Sequence, residues 1–341
     1  MVVGDCVNRD AGAGRVVVAR LCTVGAILPV ALTVIRFWAG GGESDFWSFW
    51  HAGRAALQGG EVYGSRDVFP YPPDSLFLFI PFSLPPFGWG LLLFNFAGIA
   101  FFALAARPYL PKGLPLILAI CSPATLLCLF FGQTALFVAG FWLLAFRGRW
   151  AAVAALTFKP HMGILSVLAL RSWLEVLQTL ALIVVLVAAS MAAFGAHVWI
   201  DFAHALIRQE HMIGARNRWL VIGVSPGIGY GIWGWIAFAL AAGVLLARHV
   251  DAFTAATAAL LISPYGFDYS MPVASLGFAI AIYTYWTQLN GYERVALVSG
   301  FLTPVIVTIG TWWAPPILLW ALWVQVRLPK QEHGRAAAIK P

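Results

Sequence analysis

Residues 172–193 read SWLEVLQTLALIVVLVAASMAA, an almost unbroken apolar run with one acidic residue near its start. A helix needs about 20 such residues to cross the hydrocarbon core of a bilayer. The whole composition agrees, because 61% of the residues are hydrophobic and 10% are charged, whereas about a quarter of the residues in soluble domains are charged. The run therefore predicts a membrane-spanning helix.

Apolar runs of this kind recur along the chain and are separated by short polar loops. Because only helices and closed barrels satisfy their backbone in lipid, we predict an all-α, polytopic membrane protein. It is expected to form one transmembrane domain over residues 1–341, a bundle of about 10–12 transmembrane helices. The predicted spans lie near 18–38, 87–106, 114–131, 133–146, 172–193, 230–247, 252–263, 270–286, 295–310 and 312–326.

The apolar stretch at 150–170 is interrupted by Lys159-Pro160-His161. Proline breaks a helix interior, and a charge at mid-bilayer costs about 2.5–3.5 kcal/mol. We therefore predict two short helices that meet at Lys159, with both outer ends in the cytoplasm. Most of the 21 lysines and arginines then fall on the cytoplasmic side, as the positive-inside rule requires. The net charge of +7 thus orients the chain, and no nucleic-acid partner is predicted.

The loop over residues 39–75 is predicted to lie on the outer face, directly after the first span. Its first part, residues 43–54, contains Asp45, four aromatic residues and Arg54. One interpretation is that Ser44 or Asp45 caps the helix that follows, and the other is that Asp45 is a general base at the boundary between water and lipid; both can hold for this loop. Prolines on both sides of Tyr71 fix the backbone. They form either a structural corner or a rigid lip that presents Tyr71 to the Asp45 site.

The outer loop over residues 195–229 is predicted to begin with an amphipathic helix along the membrane surface. Its polar stripe is formed by His197, Asp201, His204, Arg208 and His211. Seven residues advance about 10 Å along a helix, so the three histidines are too far apart to share one ion. We therefore predict no metal here, and expect the stripe to line a substrate groove in which Arg208 meets phosphate.

Two further sites carry charge next to predicted spans. Lys159 is either a binding group for an anionic lipid headgroup or a structural plug against a carboxylate. Asp268 follows Tyr265 in an outer loop and is either a turn residue or a second acid of the site. The sequence contains no P-loop, GxGxxG, DxD or HExxH motif, so no nucleotide, NAD or zinc cofactor is predicted.

Five short motifs follow one another along the chain. They are Asp45-Phe46-Trp47-Ser48-Phe49-Trp50-His51-Ala52-Gly53-Arg54, Phe69-Pro70-Tyr71-Pro72-Pro73, Phe131-Gly132-Gln133, Phe158-Lys159-Pro160-His161, and Ser263-Pro264-Tyr265 with Asp268. This order resembles glycosyltransferase family 87, membrane enzymes similar to polyprenol-phosphate-mannose-dependent α-mannosyltransferases. The resemblance covers roughly residues 40–290, and His161 stands where the family pattern leads us to expect glutamine.

The resemblance implies a GT-C fold, a polyprenyl-phosphate sugar donor, and an active site on the extracytoplasmic side of a bacterial inner membrane. It also implies that Asp45 is the catalytic base, and that Lys159 and Asp268 occupy the family's lysine and late acidic positions. A polyprenyl phosphate leaves as a stable anion and needs no proton from an acid, so one carboxylate suffices where glycoside hydrolysis needs two.

The function predicted on this basis is transfer of mannose, or another hexose or pentose, to a hydroxyl group of a glycan or glycolipid, with inversion. No metal or other cofactor is expected. The alternatives are a flippase or transporter of lipid-linked sugars, and a non-catalytic membrane scaffold. The predicted substrate-binding residues are Arg54, Tyr71, Gln133, Lys159, His161, His204, Arg208, Tyr265 and Asp268.

Overall fold

The computed structural model describes residues 12–23, 44–64, 69–216 and 223–329, with the backbone alone at 208–216 and 228. The described residues are mostly helical and contain no β-strand, which confirms the all-α prediction. The α-helices are α1 (12–23), α2 (Phe46–Gln58), α3 (Leu76–Ser83), α4 (Phe87–Ala106), α5 (Leu116–Ile120), α6 (Pro123–Phe131), α7 (Ala135–Phe146), α8 (Trp150–Ala155), α9 (Pro160–Gly163), α10 (Trp173–Phe194), α11 (His197–Arg216), α12 (Pro226–Gly229), α13 (Gly231–Leu246), α14 (Ala252–Ile262), α15 (Pro272–Tyr285), α16 (Gly291–Ile306) and α17 (Ala314–Arg327).

Two helices in the described part are long and apolar enough to cross a membrane. One comprises α4 and the turn after it, Phe87–Tyr109, and the other is α10. α10 leaves large apolar side chains such as Trp173, Leu177 and Val184 uncovered by protein, a surface of the kind that soluble monomers avoid. These helices indicate a membrane protein. The other apolar helices are shorter, so the number of 10–12 spans stays a prediction.

Residues 24–38 of the predicted first span lie outside the described residues. Most of the other predicted spans agree with the helix bounds to within a few residues, but the predicted span at 114–131 is wrong as a continuous helix. α5 ends at Ile120 and α6 begins at Pro123. Proline has no N–H and holds the residue before it in an extended conformation. Ser122 accordingly has φ −104° and ψ 161°, and its side chain caps α6 by accepting a hydrogen bond from the Thr125 N–H.

The bundle has two ends, which we name after the two ends of the α4 span. At the Phe87 end, the rings of Trp47 and Phe87 lie 5.4 Å apart. At the Tyr109 end, the Tyr109 hydroxyl donates to the Leu143 carbonyl at 2.7 Å, and the ring of Tyr109 packs on Phe253. The 23 residues of this span separate the two ends by about 34 Å.

The predicted pair of short helices that meet at Lys159 is confirmed. α8 and the 3-10 turn Leu156–Phe158 lead to Lys159, and α9 and the 3-10 helix Ile164–Ala169 lead away from it. Ala152 and Ala169 pack in one small apolar cluster, so the chain returns to the level at which it started. The tip points towards the Phe87 end.

Candidate active site

Asp45 lies at the N-terminal end of α2, but its carboxylate makes no capping hydrogen bond to the helix. Its Oδ2 instead accepts a hydrogen bond of 2.6 Å from Nε2 of Gln133. The side chain of Ser44 instead bonds to the start of α2, because its Oγ accepts a hydrogen bond from the Phe46 N–H. The same Oγ donates to the Phe131 carbonyl at 2.9 Å. The capping prediction therefore holds for Ser44, whereas the carboxylate of Asp45 is turned to the corner between α6 and α7.

Gly132 explains why this corner can approach α2 so closely. It ends α6 in the left-handed region, with φ 66° and ψ 45°, a conformation that glycine adopts without steric cost. A Cβ at this position would lie 2.6 Å from Cβ of Phe46 and 3.0 Å from Oγ of Ser44. The Phe131-Gly132-Gln133 motif thus provides a turn, a close backbone approach and an amide donor for Asp45.

Lys159 is brought to the same end of the bundle and is only 5% exposed. The chain has non-helical dihedral angles here, φ −134° and ψ 68°, and Pro160 begins α9 with no N–H to satisfy. Nζ lies 5.5 Å from the centre of the Tyr269 ring. Within the described part of the chain Lys159 forms no salt bridge with a carboxylate, which does not favour the structural-plug alternative.

The carboxyl group of Asp45 is both accessible and electrostatically perturbed. Solvent reaches the residue, yet the surrounding protein removes enough water to raise the pKa of Asp45 above its ordinary value. The Gln133 hydrogen bond and the positive charge of Lys159 lower this pKa without outweighing the burial. A carboxylate with a raised pKa is a stronger base than an ordinary aspartate.

The predicted outer loop at 263–270 forms another part of this region. The rings of His161 and Tyr265 lie 4.2 Å apart, and Nε2 of His161 is buried without a hydrogen-bond partner in the described part of the chain. Tyr265 itself is 40% exposed. Asp268 is buried, and its Oδ1 accepts a hydrogen bond from the Tyr269 N–H at 2.8 Å.

Tyr71 lies behind this region rather than at its surface. It is buried, and its hydroxyl shares a 2.8 Å hydrogen bond with Thr134, the residue after Gln133. The carbonyl of Tyr71 accepts a hydrogen bond from the Tyr63 hydroxyl at 2.7 Å, and its ring packs edge-on against Phe49. The structural-corner interpretation of the proline segment therefore describes Tyr71 better than the lip.

Three predicted substrate-binding residues are not among the residues that contact Asp45 in the described part of the chain. Arg54 follows nine residues later on α2, about 13 Å along the helix axis, and its guanidinium stacks on the Trp50 ring at 4.6 Å. His204 is exposed on α11, which begins at His197 as predicted. Arg208 belongs to the same helix, but its side chain lies outside the described residues.

Sequence reasoning missed two residues that contact or support Lys159. Tyr269 provides the ring beside the ammonium group, and Cys128 donates a 2.9 Å hydrogen bond to the Tyr269 carbonyl. The position of Tyr269, next to Asp268 in a polar loop, was an available signal. Nothing in the sequence distinguishes Cys128 from an inert buried cysteine. Among the described residues, no group of three or more His, Cys, Asp and Glu is placed to hold a metal ion.

A family comparison adds to this geometry. The model of glycosyltransferase family 87 matches residues 69–264, more than half of the chain. The chain belongs to glycosyltransferase family 87. No curated protein and no solved structure gives a significant match. The matched range of this family 87 protein includes Gln133 and Lys159 but begins after Asp45, so the role of Asp45 depends on its contacts with them.

Proposed function

We propose that this family 87 glycosyltransferase transfers a sugar from a polyprenyl phosphate to an acceptor hydroxyl, with Asp45 as general base. The observation that supports the proposal is the contact set of Asp45. An accessible carboxylate with a raised pKa is held by Gln133 and lies within the electrostatic influence of the buried Lys159. A base and a cation in one region suit a reaction that removes a proton at one point and develops negative charge at another.

The reaction is a single displacement at the anomeric carbon. The Asp45 carboxylate takes the proton of the acceptor hydroxyl while its oxygen forms a bond to that carbon. The bond from the carbon to the phosphate oxygen breaks, and its electron pair leaves with the polyprenyl phosphate. One displacement of this kind inverts the configuration at the anomeric carbon.

Lys159 is placed to stabilise the leaving group. The phosphate gains negative charge as the sugar bond breaks, and the ammonium group of Lys159, with little water around it, interacts more strongly with that charge than it would in solution. By analogy with the loss of one oxyanion donor, this contribution is about 3–4 kcal/mol. Gln133 acts as a positioning residue, because its amide binds Oδ2 of Asp45 and leaves Oδ1 for the hydroxyl.

The Phe87 end is where we place the outer surface of a bacterial inner membrane crossed several times by the chain. Trp233, Trp312 and Trp313 are all exposed, and Tyr230 donates a hydrogen bond to the Trp312 carbonyl. Exposed tryptophans of this kind are common where a membrane protein meets the lipid headgroups. A site beside such a belt can take a headgroup whose lipid chain remains in the bilayer.

The direct test is a donor panel with purified protein and mass analysis of the products. Polyprenyl-phosphate-linked hexoses and pentoses are compared with nucleotide sugars, together with a mixed glycan and glycolipid acceptor pool. We expect release of polyprenyl phosphate and a product of inverted configuration. Exclusive use of a nucleotide sugar would contradict the donor assignment. Movement of labelled glycolipid across vesicles without a new glycosidic bond would favour the flippase alternative.

A further inference from the structure

A hollow of about 390 Å³, lined by aromatic and polar residues, lies on α2 away from Asp45. Its lining includes Trp50, His51, Arg54, Gln58, Gly60 and Glu61. This volume falls within the range of small-ligand sites, which combine aromatic surface with a few polar groups. The contacts of Asp45, Gln133 and Lys159 do not include these residues, so the reaction proposed above leaves the hollow without a role.

A glycine turn at the end of α2 and the fixed indole ring of Trp50 shape the hollow. Gly59 terminates the helix with φ 66° and ψ 24°, and the N–H groups of Gly59 and Gly60 both bond to the Ala55 carbonyl. The chain therefore turns back and sets Glu61 against the last turns of the helix. On the other side, Nε1 of Trp50 donates to the Pro85 carbonyl at 3.0 Å, which fixes the indole plane.

An aromatic and polar stripe connects the hollow with the Asp45 end of α2. Trp47 stacks on Trp50 with ring centres 5.5 Å apart and on His51 at 6.2 Å. Arg54 continues the stripe one turn further, with its guanidinium over the Trp50 ring. The opposite face of the helix, which includes Phe49, is buried against the protein. Among the described residues, the stripe is the partly exposed face of α2.

The chemistry of the lining fits a carbohydrate. Sugar rings present apolar C–H faces that pack on aromatic rings, and hydroxyl groups that both donate and accept hydrogen bonds. Arg54 supplies fixed donors, Gln58 supplies both functions, Glu61 supplies an acceptor, and the ring edges of Trp50 and His51 supply apolar surface. One cation and one anion offset each other, so the lining favours a neutral polyhydroxylated ligand over a phosphate, which Glu61 would repel.

We propose that this hollow is a distal subsite for an oligosaccharide acceptor, which passes around the N-terminal end of α2 so that its reactive hydroxyl reaches Asp45. The inference rests on the proposed function and specifies the acceptor further. Because Arg54 lies about 13 Å along α2 from Asp45, an acceptor that occupies both places is longer than one sugar ring. Single sugars and simple alcohols are therefore poor acceptors.

The test measures binding without catalysis. Fluorescently labelled gluco-, manno- and arabino-oligosaccharides, from one unit to about six, are titrated into full-length protein in nanodiscs and followed by polarisation. The variants are Arg54→Ala and Glu61→Ala. Arg107→Ala, an exposed arginine near the Tyr109 end, is the matched control, and Asp45→Asn separates binding from transfer.

We expect at least one oligosaccharide to bind more tightly as it lengthens beyond one unit, and each hollow variant to weaken that binding about 10-fold or more. Arg107→Ala should bind it as the unchanged protein does, and in Asp45→Asn the affinity should still rise with glycan length and still fall when Arg54 or Glu61 is replaced. The inference is overturned if no glycan of the panel binds, if the hollow variants bind equally well, or if vesicles of anionic lipid displace the glycan through Arg54. Transfer that survives Asp45→Asn would defeat the catalytic proposal while this binding result stands.

Discussion

Asp45 is subject to influences that act on its pKa in opposite directions. Surrounding protein raises the pKa by removing water, while the Gln133 amide and the Lys159 charge lower it. Each neighbour can be removed separately, because Gln133 acts through a 2.6 Å hydrogen bond and Lys159 through its charge alone. The pH dependence of the reaction should therefore report which neighbour has been removed.

Gln133→Met tests the positioning of the base. Methionine keeps the length of the side chain but removes the donor that favours the ionised carboxylate, so the pKa of Asp45 rises further. We expect the acidic limb of the kcat/KM profile to move to higher pH, and kcat to fall because the carboxylate is less well oriented. Gln288→Met, an exposed change near the Tyr109 end, is the control. If the acidic limb of the kcat/KM profile stays in place or moves to lower pH, the hydrogen bond from Gln133 does not lower the pKa of Asp45.

Lys159→Met tests the group that meets the leaving phosphate. Methionine fills a similar volume without charge, so folding should be preserved while kcat falls about 10²–10³-fold. Lys159→Arg keeps the charge and should recover part of the rate. Lys112→Met changes a lysine near the Tyr109 end, where the Lys112 carbonyl accepts a hydrogen bond from the Tyr283 hydroxyl, and should leave kcat unchanged. An equal kcat in Lys159→Met and Lys159→Arg would show that the positive charge at this position does not stabilise the leaving phosphate.

At the level of elements, the corner between α6 and α7 determines where Gln133 lies. Gly132→Ala introduces a Cβ 2.6 Å from Cβ of Phe46 and also strains a positive φ, by about 1–2 kcal/mol. Gly231→Ala has the same φ of 66° but no atom within 4 Å of the added Cβ. Both variants should be less stable, and Gly132→Ala alone should lower kcat. A similar kcat loss in both would indicate a general effect of backbone strain.

The N-terminus of α14 provides a pH-dependent test of stability. Asp251 accepts hydrogen bonds from the Phe253 and Thr254 N–H groups and lies 3.2 Å from Nε2 of His249. Burial works to raise the pKa of Asp251, but the bonds from His249 and the backbone outweigh it, and the net pKa is lowered. A lowered pKa means that this stabilisation is present above the unfolded value, about 3.9, and is lost as pH falls through the folded value.

Asp251→Ala should therefore lower the free energy of unfolding by about 1 kcal/mol at neutral pH, and the deficit should fade below about pH 4. Asn290→Ala removes the corresponding cap of α16, whose side chain accepts from the Glu293 N–H at 3.0 Å. That deficit should depend less on pH, because asparagine does not titrate. Thermal unfolding at several pH values distinguishes the two, and parallel curves would contradict the assigned pKa shift.

The whole molecule shows what the sequence could and could not predict. Local signals were sufficient for the two helices that meet at Lys159 and for the start of α11, because proline, charge and helical periodicity act over a few residues. The same signals missed the break before Pro123. The bond between Asp45 and Gln133 joins residues 88 positions apart, and no local pattern encodes such a contact. The separation of Arg54 from Asp45 became clear only from the length of α2.

The candidate site lies at one end of the helix bundle. Asp45, Lys159 and the loop at 263–270 lie towards the Phe87 end, whereas the Asp251 cap lies beside Phe253, which packs on Tyr109 at the opposite end. A lipid-linked donor approaches from within the bilayer, so a site level with one membrane surface can bind its headgroup directly. Because these residues lie at one end of the bundle, we expect sugar transfer at one membrane face rather than transport of a lipid-linked sugar across the membrane.

The central claim is that Asp45 removes the acceptor proton, and Asp45→Asn in the purified enzyme tests it most directly. The raised pKa of Asp45 means that its charge opposes folding at neutral pH, so the variant should keep or raise the thermal midpoint. Transfer from the polyprenyl-phosphate donor should fall to background. Asp74→Asn, which removes another acid whose pKa burial raises, should retain transfer. Undiminished turnover in folded Asp45→Asn would contradict the account.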